Sequence, residues 1–179
     1  MQEQAAENET SLAVVYNNRQ AHLTFSDITQ IFPPEEALER FVAELMQAVN
    51  VIRDLRTIQR HESKPDTTSE LNKILLEVIT GVETWYGAIR TYATERLESI
   101  DSSKNIASLA PEAQAQVQFE AYMWTGIREI GHPLASLFGH CKLITNEQGQ
   151  QEELLSRFDI ITEKLFELLQ KIKMGKQTR

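Results

Sequence analysis

Residues 34–61 read PEEALERFVAELMQAVNVIRDLRTIQRH, and the spacing of their apolar positions decides the fold. Leu38, Phe41, Leu45, Ala48, Ile52 and Leu55 recur every three or four residues without a break, which lines them along one face of a helix. Pro34 suits a first helical turn and Glu35 and Glu36 complement its dipole, so the helix is expected to start there and to end near His61. The polar run Ser63–Thr68 is turn chemistry, with Thr68 or Ser69 able to cap the next helix.

The same pattern repeats outward. A second helix carries Leu71, Leu75, Val78, Val82, Trp85, Ile89 and Tyr92 and should stop near Ser99. After a polar loop at 101–110, Pro111 and Glu112 open a third, with the seam Met123, Ile127, Ile130, Leu134, Leu137, Cys141 and Ile144. Pro133 lies inside it and removes a backbone donor, so a local bend is expected. Asn146–Gln150 is a turn, and a fourth helix carries Leu154, Phe158, Ile161, Leu165, Leu168 and Ile172. These helices are far longer than the ~11–12 residues of an average globular helix, and sustained seven-residue spacing favours coiled-coil-like packing. The expected class is all-α: an antiparallel four-helix bundle, closed within one chain or completed by a partner chain.

Ahead of the helices, residues 1–10 are polar and acidic and read as a disordered tail. Residues 11–33 form a hairpin or extended arm: Leu12–Tyr16 and Ala21–Phe25 flank an Asn17-Asn18 turn, although the stretch also admits a helical reading. The domain organisation is then 1–10 tail, 11–33 arm, 34–100 first helical hairpin and 111–174 second helical hairpin.

Composition narrows the function. The chain has 18 Lys+Arg against 26 Asp+Glu, a net charge of −8, which argues against a nucleic-acid partner because affinity for phosphates needs clustered cations. One cysteine, Cys141, excludes a disulfide framework and a multi-thiolate zinc site. No apolar run approaches the ~20 residues of a membrane span and no signal peptide is legible at the N-terminus, so a cytoplasmic protein is expected. His22, His61, His132 and His140 are scattered; Glu129 and His132 form a single Glu-x-x-His pair that no second helix repeats, as a di-iron bundle would need, and phosphate-binding, nucleophile-elbow and zincin motifs are missing. No metal or other cofactor is expected. Cys141, Trp85, Trp124, Tyr86 and Tyr122 read as packing residues, a pigment or haem pocket being the alternative for the aromatics. The basic end, Lys171 to Arg179, either touches an acidic partner or complements the last helix dipole.

One segment carries a functional resemblance. Residues 127–144 read IREIGHPLASLFGHCKLI. This resembles the H box of the dimerisation and histidine-phosphotransfer domain of sensor histidine kinases, roughly H-E-L-R-T-P-L-x-x-I-x-G-x-x-x-L-L. Aligned on Pro133-Leu134, Glu129, Ile130, Ala135, Ser136, Leu137, Gly139, Leu143 and Ile144 fall on family-like positions, and the likeness extends over about residues 117–174. A proline inside a strong helix costs about 3 kcal/mol, which lends the motif some specificity. The phosphoacceptor position holds Arg128, and arginine is a permanent cation that cannot play that part. No ATP-binding domain is expected either, since the sequence stops soon after the fourth helix.

The resemblance implies a docking stripe for a response-regulator receiver domain. With Ile127 set at 0°, Arg128 falls at about 100° and His132 at about 140°, away from the apolar seam, on a stripe with Ser136 and Gly139. Three readings follow. The first is a non-catalytic signalling protein that binds a receiver domain or a sensor kinase through Arg128, Glu129, His132, Ser136 and Gly139, as a possible homodimer. The second is a phosphotransferase using His132, or a phosphatase using Glu129 and His132. The third is a helical scaffold with an incidental H-box likeness, in which His132 is an ordinary exposed residue beside a kink.

Overall fold

The computed structural model describes residues 9–16, 18–29, 32–61, 65–102, 106–146 and 151–175. A hairpin of β1 (Glu9–Tyr16) and β2 (Arg19–Ser26) precedes α1 (Pro34–His61) and α2 (Pro65–Ser102). After one 3-10 turn, Ile106–Ser108, come α3 (Pro111–Glu129), α4 (Gly131–Asn146) and α5 (Gln151–Gly175). The described residues are thus mostly helical, with a short antiparallel hairpin at the N-terminal side, as the periodicity indicates. The third long helix is two segments, α3 and α4, separated by Ile130. The second starts at Pro65, inside the expected Ser63–Thr68 turn and ahead of the expected caps Thr68 and Ser69, because proline suits a first helical turn, and it runs past Ser99 to Ser102. Of the tail expected at 1–10, Glu9 and Thr10 instead belong to β1, paired with Ser26 and Phe25, and Asn146 of the turn expected at 146–150 ends α4; residues 1–8 and 147–150 lie outside the described residues, as do Lys176 and Arg179.

The hairpin pairs Tyr16 with Arg19, Val14 with Ala21 and Leu12 with Leu23. Its reversal needs a residue with positive φ, and Asn18 supplies it at 61°. Alternation then buries Val14 and Tyr16 from β1 and Leu23 and Phe25 from β2 on the helix side. A lone two-stranded hairpin is marginal in water, and here it packs across α1 and α2. Ser26 anchors it: its N–H and Oγ–H donate to Glu44 on α1 at 3.1 and 2.5 Å, and its carbonyl accepts the Trp85 indole N–H from α2 at 2.8 Å. Burial raises the Glu44 carboxyl above the usual carboxylate range, against the lowering effect of the Ser26 hydrogen bonds.

One apolar cluster joins all these elements. The α1 seam, Leu38 to Leu55, is buried throughout, as are Leu71 to Ile89 on α2 and Met123 to Cys141 along α3 and α4. Each such large side chain contributes about 1.5–3 kcal/mol on burial, so the seams hold the fold together. The last helix differs from the sequence expectation. Its buried line is Phe158, Thr162, Leu165, Leu169 and Ile172, a strict four-three alternation, while Ile161 and Leu168 are half-buried. Thr162 is tolerated inside because its hydroxyl donates to the Phe158 carbonyl at 2.8 Å. Counting only apolar residues therefore rotates the inferred seam by one position.

The helix pairs are also cross-linked by polar groups. Arg56 on α1, 3% exposed, donates to the Cys141 carbonyl on α4 at 2.7 Å and to Gln59, which donates to Asn72 on α2. Arg96 on α2 grips Glu120 on α3 with two hydrogen bonds of 2.8 and 3.2 Å. α1 touches α2, α3 and α5, and α2 touches α3 and α4, so the seam of α3 to α5 is covered by helices of the same chain.

Candidate functional site

The α3–α4 junction has its own local chemistry. Pro133 has no N–H, so the Glu129 carbonyl gets no helical partner there. Tyr86 of α2 meets the same break: its hydroxyl donates to the Ile127 carbonyl at 2.7 Å, with the Arg128 carbonyl at 3.2 Å. Gly131 makes room for it, since a Cβ there would stand 3.0 Å from the Tyr86 oxygen. Ile130 between the segments remains close to helical at φ −62° and ψ −20°, and Leu134 N–H reaches its carbonyl at 3.0 Å. The helix is therefore interrupted without turning away. Burial pushes the Tyr86 phenol up to about 12, so it stays protonated and able to donate well into the alkaline range.

Around this junction burial follows the helical angles. Ile127, Ile130, Leu134, Leu137 and Cys141 are buried, whereas His132, Ala135, Ser136 and Gly139 are exposed and Arg128 is half-buried. His132, Ser136 and Gly139 thus share one solvent-facing stripe of α4, with Arg128 one turn before it. Glu129 is exposed but faces elsewhere, into a groove of about 540 Å³ between α3 and α5 alongside Tyr122 and Lys171. About 60° of helical rotation separates Glu129 from His132. His140 is half-buried and its Nδ1 lies 2.8 Å from the Ser136 carbonyl, which makes that nitrogen the donor.

Beside the stripe runs a groove of about 430 Å³ between α2 and α4. Tyr86, Leu134 and Phe138 form its apolar part, and Glu83 and Arg90 of α2 bring charges of both signs. Gly87 and Gly139 face each other across it with open space where a Cβ would stand. Sequence reasoning reached Gly139 but not Glu83, Gly87 or Arg90. The available signal was Gly87 itself, a helix-weakening residue on an outward position of a chain with only 7 glycines.

The other singled-out residues serve packing. Trp85 lies between Phe25 and Phe41 at ring distances of 5.4 and 5.5 Å, and Trp124 meets Tyr92 edge-on at 5.1 Å. The Tyr122 hydroxyl donates to the Lys171 carbonyl near the end of α5 at 3.1 Å. Cys141 is buried, and burial raises its thiol above the ordinary range, so it is not primed as a nucleophile. Among the described residues, no three His, Cys, Asp or Glu side chains converge as a metal site, and no helix is long and apolar enough to cross a membrane. Comparison with protein-family models, with characterised proteins and with solved structures finds no match.

Proposed function

We propose that the chain is a non-catalytic interaction protein of the H-box type, which docks a response-regulator receiver domain, or the sensor kinase that serves one, on the outer face of α4. The observation that carries this reading is the exposure of His132, Ser136 and Gly139 on one stripe next to the glycine-flanked groove between α2 and α4. Arg128 stands where the resembled family has its phosphoacceptor, and a guanidinium there is suited to pair with the acidic pocket of a receiver. Such a partner puts the protein in the cytoplasm. In this reading the four long helices form an antiparallel bundle closed within one chain. Because α1 and α2 cover the α3–α5 seam, a homodimer would have to use a different face.

A phosphatase role is less well supported, because Glu129 lines the groove between α3 and α5 while His132 lies on the outer stripe of α4. The test is titration of the full chain with a panel of receiver domains and the isolated dimerisation domains of sensor kinases. Saturable binding that is lost in Gly139→Arg and Ser136→Arg, with thermal stability unchanged, is the expected result. No binding to any member of the panel, or binding indifferent to both substitutions, overturns the proposal.

A further inference from the structure

A second cavity, of about 580 Å³, opens between the hairpin and α2 and shares no lining residue with the α2–α4 groove. Its size lies within the ~300–1,000 Å³ of small-molecule sites. Leu12, Phe25, Trp85 and Ile89 supply the apolar surface, and Thr10, Ser11, Thr80 and Thr84 supply hydroxyl-bearing walls. The charged residues lining it are Asp27 and Glu77; no basic residue is among them.

Two parts of this cavity are fixed in advance. Trp85 is held by its indole N–H on the Ser26 carbonyl and by stacking on Phe41 at 5.5 Å with an interplanar angle of 28°. Asp27 accepts the Thr29 N–H at 3.1 Å and the Thr29 hydroxyl on the same Oδ1, which fixes the carboxylate at the cavity. A ligand would then find its partners already ordered, which reduces the entropy lost on binding. Two acidic residues with no basic residue among the lining, beside an apolar wall, favour a positively charged organic group over a neutral or anionic one.

We infer that this cavity is a binding site for a small organic cation, an ammonium compound whose apolar part rests against Phe25 and Trp85 while its charge is held by Asp27 and Glu77. The site is independent of receiver docking, since it lies on another flank of α2 and its occupant would touch neither Gly87 nor Gly139.

The test uses the full chain labelled with ¹⁵N, choline as the probe and 3,3-dimethylbutan-1-ol, its carbon isostere without the charge, as the control. Choline should shift the Trp85 indole and Gly81 amide resonances saturably, leave the Trp124 indole in place, and bind about tenfold more tightly than the neutral alcohol. Glu77→Gln, at an exposed helix position, should weaken choline by about threefold. Ala88→Phe, also exposed, should block the cavity without disturbing the fold. Absence of saturable shifts, equal binding of the two probes, or undiminished binding to Ala88→Phe each overturns the assignment.

Discussion

Tyr86 and Gly131 show how much structure one hydroxyl can organise. Tyr86→Phe removes the donor to the Ile127 carbonyl in a buried setting and should cost about 1–2 kcal/mol. Gly131→Ala places a methyl 3.0 Å from that oxygen and should destabilise the wild type by about 1–3 kcal/mol, yet be near neutral in the Tyr86→Phe background, where the obstacle is gone. A double-mutant cycle by urea unfolding reads this coupling. Additive losses would mean the two residues do not share the space. The phenol also sets a pH signature. Its folded value of about 12 lies above the unfolded value near 10, so the native state keeps a proton that the unfolded state has released. Its contribution is complete below pH ~10 and is lost as the pH rises towards 12, at up to about 1.4 kcal/mol per unit, a slope that Tyr86→Phe should flatten.

Glu44 behaves with the same sign in a different range. Its folded carboxyl is raised by burial, so its contribution is greatest below the ordinary carboxylate range and falls as the pH rises through the folded value. Glu44→Gln keeps an acceptor for Ser26 and should be as stable as wild type or more so at pH 7. Glu44→Ala leaves the Ser26 N–H and hydroxyl without an acceptor and should lose about 1–3 kcal/mol. Thermal melts at pH 5 and 7 separate the two, and a Gln variant that fails at both would contradict the account.

At the scale of elements, the glycines of the helices divide by what surrounds them. Gly126 of α3 faces α5 so closely that a Cβ would sit 2.9 Å from Ile172 Cγ1, whereas Gly87 of α2 has nothing within 4 Å. Gly87→Ala should therefore stabilise by about 0.5–1 kcal/mol through helix propensity, and Gly126→Ala should destabilise by about 1–3 kcal/mol through overpacking. The same sign in both, measured by chemical denaturation, would refute the close α3–α5 approach. Helix existence and the seams of α1 to α4 were legible in the sequence because uninterrupted apolar spacing has one helical solution. The α5 seam was not, because Thr162 pairs with its own backbone and enters the core as a polar residue. The break at Ile130 was half legible: Pro133 announced it, but the Tyr86 hydroxyl that completes it comes from a residue more than 40 positions away.

For the whole molecule, the exposed stripe was readable as angles on one helix, and the groove beside it was not, because its other wall belongs to α2. Single-helix geometry locates His132, Ser136 and Gly139; only packing brings Glu83, Gly87 and Arg90 next to them. Glu129 shows the converse, a residue adjacent in sequence that packing assigns to another groove. The charge of −8 is likewise a property of the sum and not of this face, where Arg90 and Arg128 stand close to the junction. The measurement that bears most directly on the docking surface is an amide chemical-shift map of the full chain titrated with a receiver domain that binds it. The account predicts shifts concentrated on Arg128, on 131–139 and on 83–90, and absent from the α3–α5 groove around Tyr122. A footprint centred on the α3–α5 groove or on the hairpin, with His132, Ser136 and Gly139 unmoved, would contradict it.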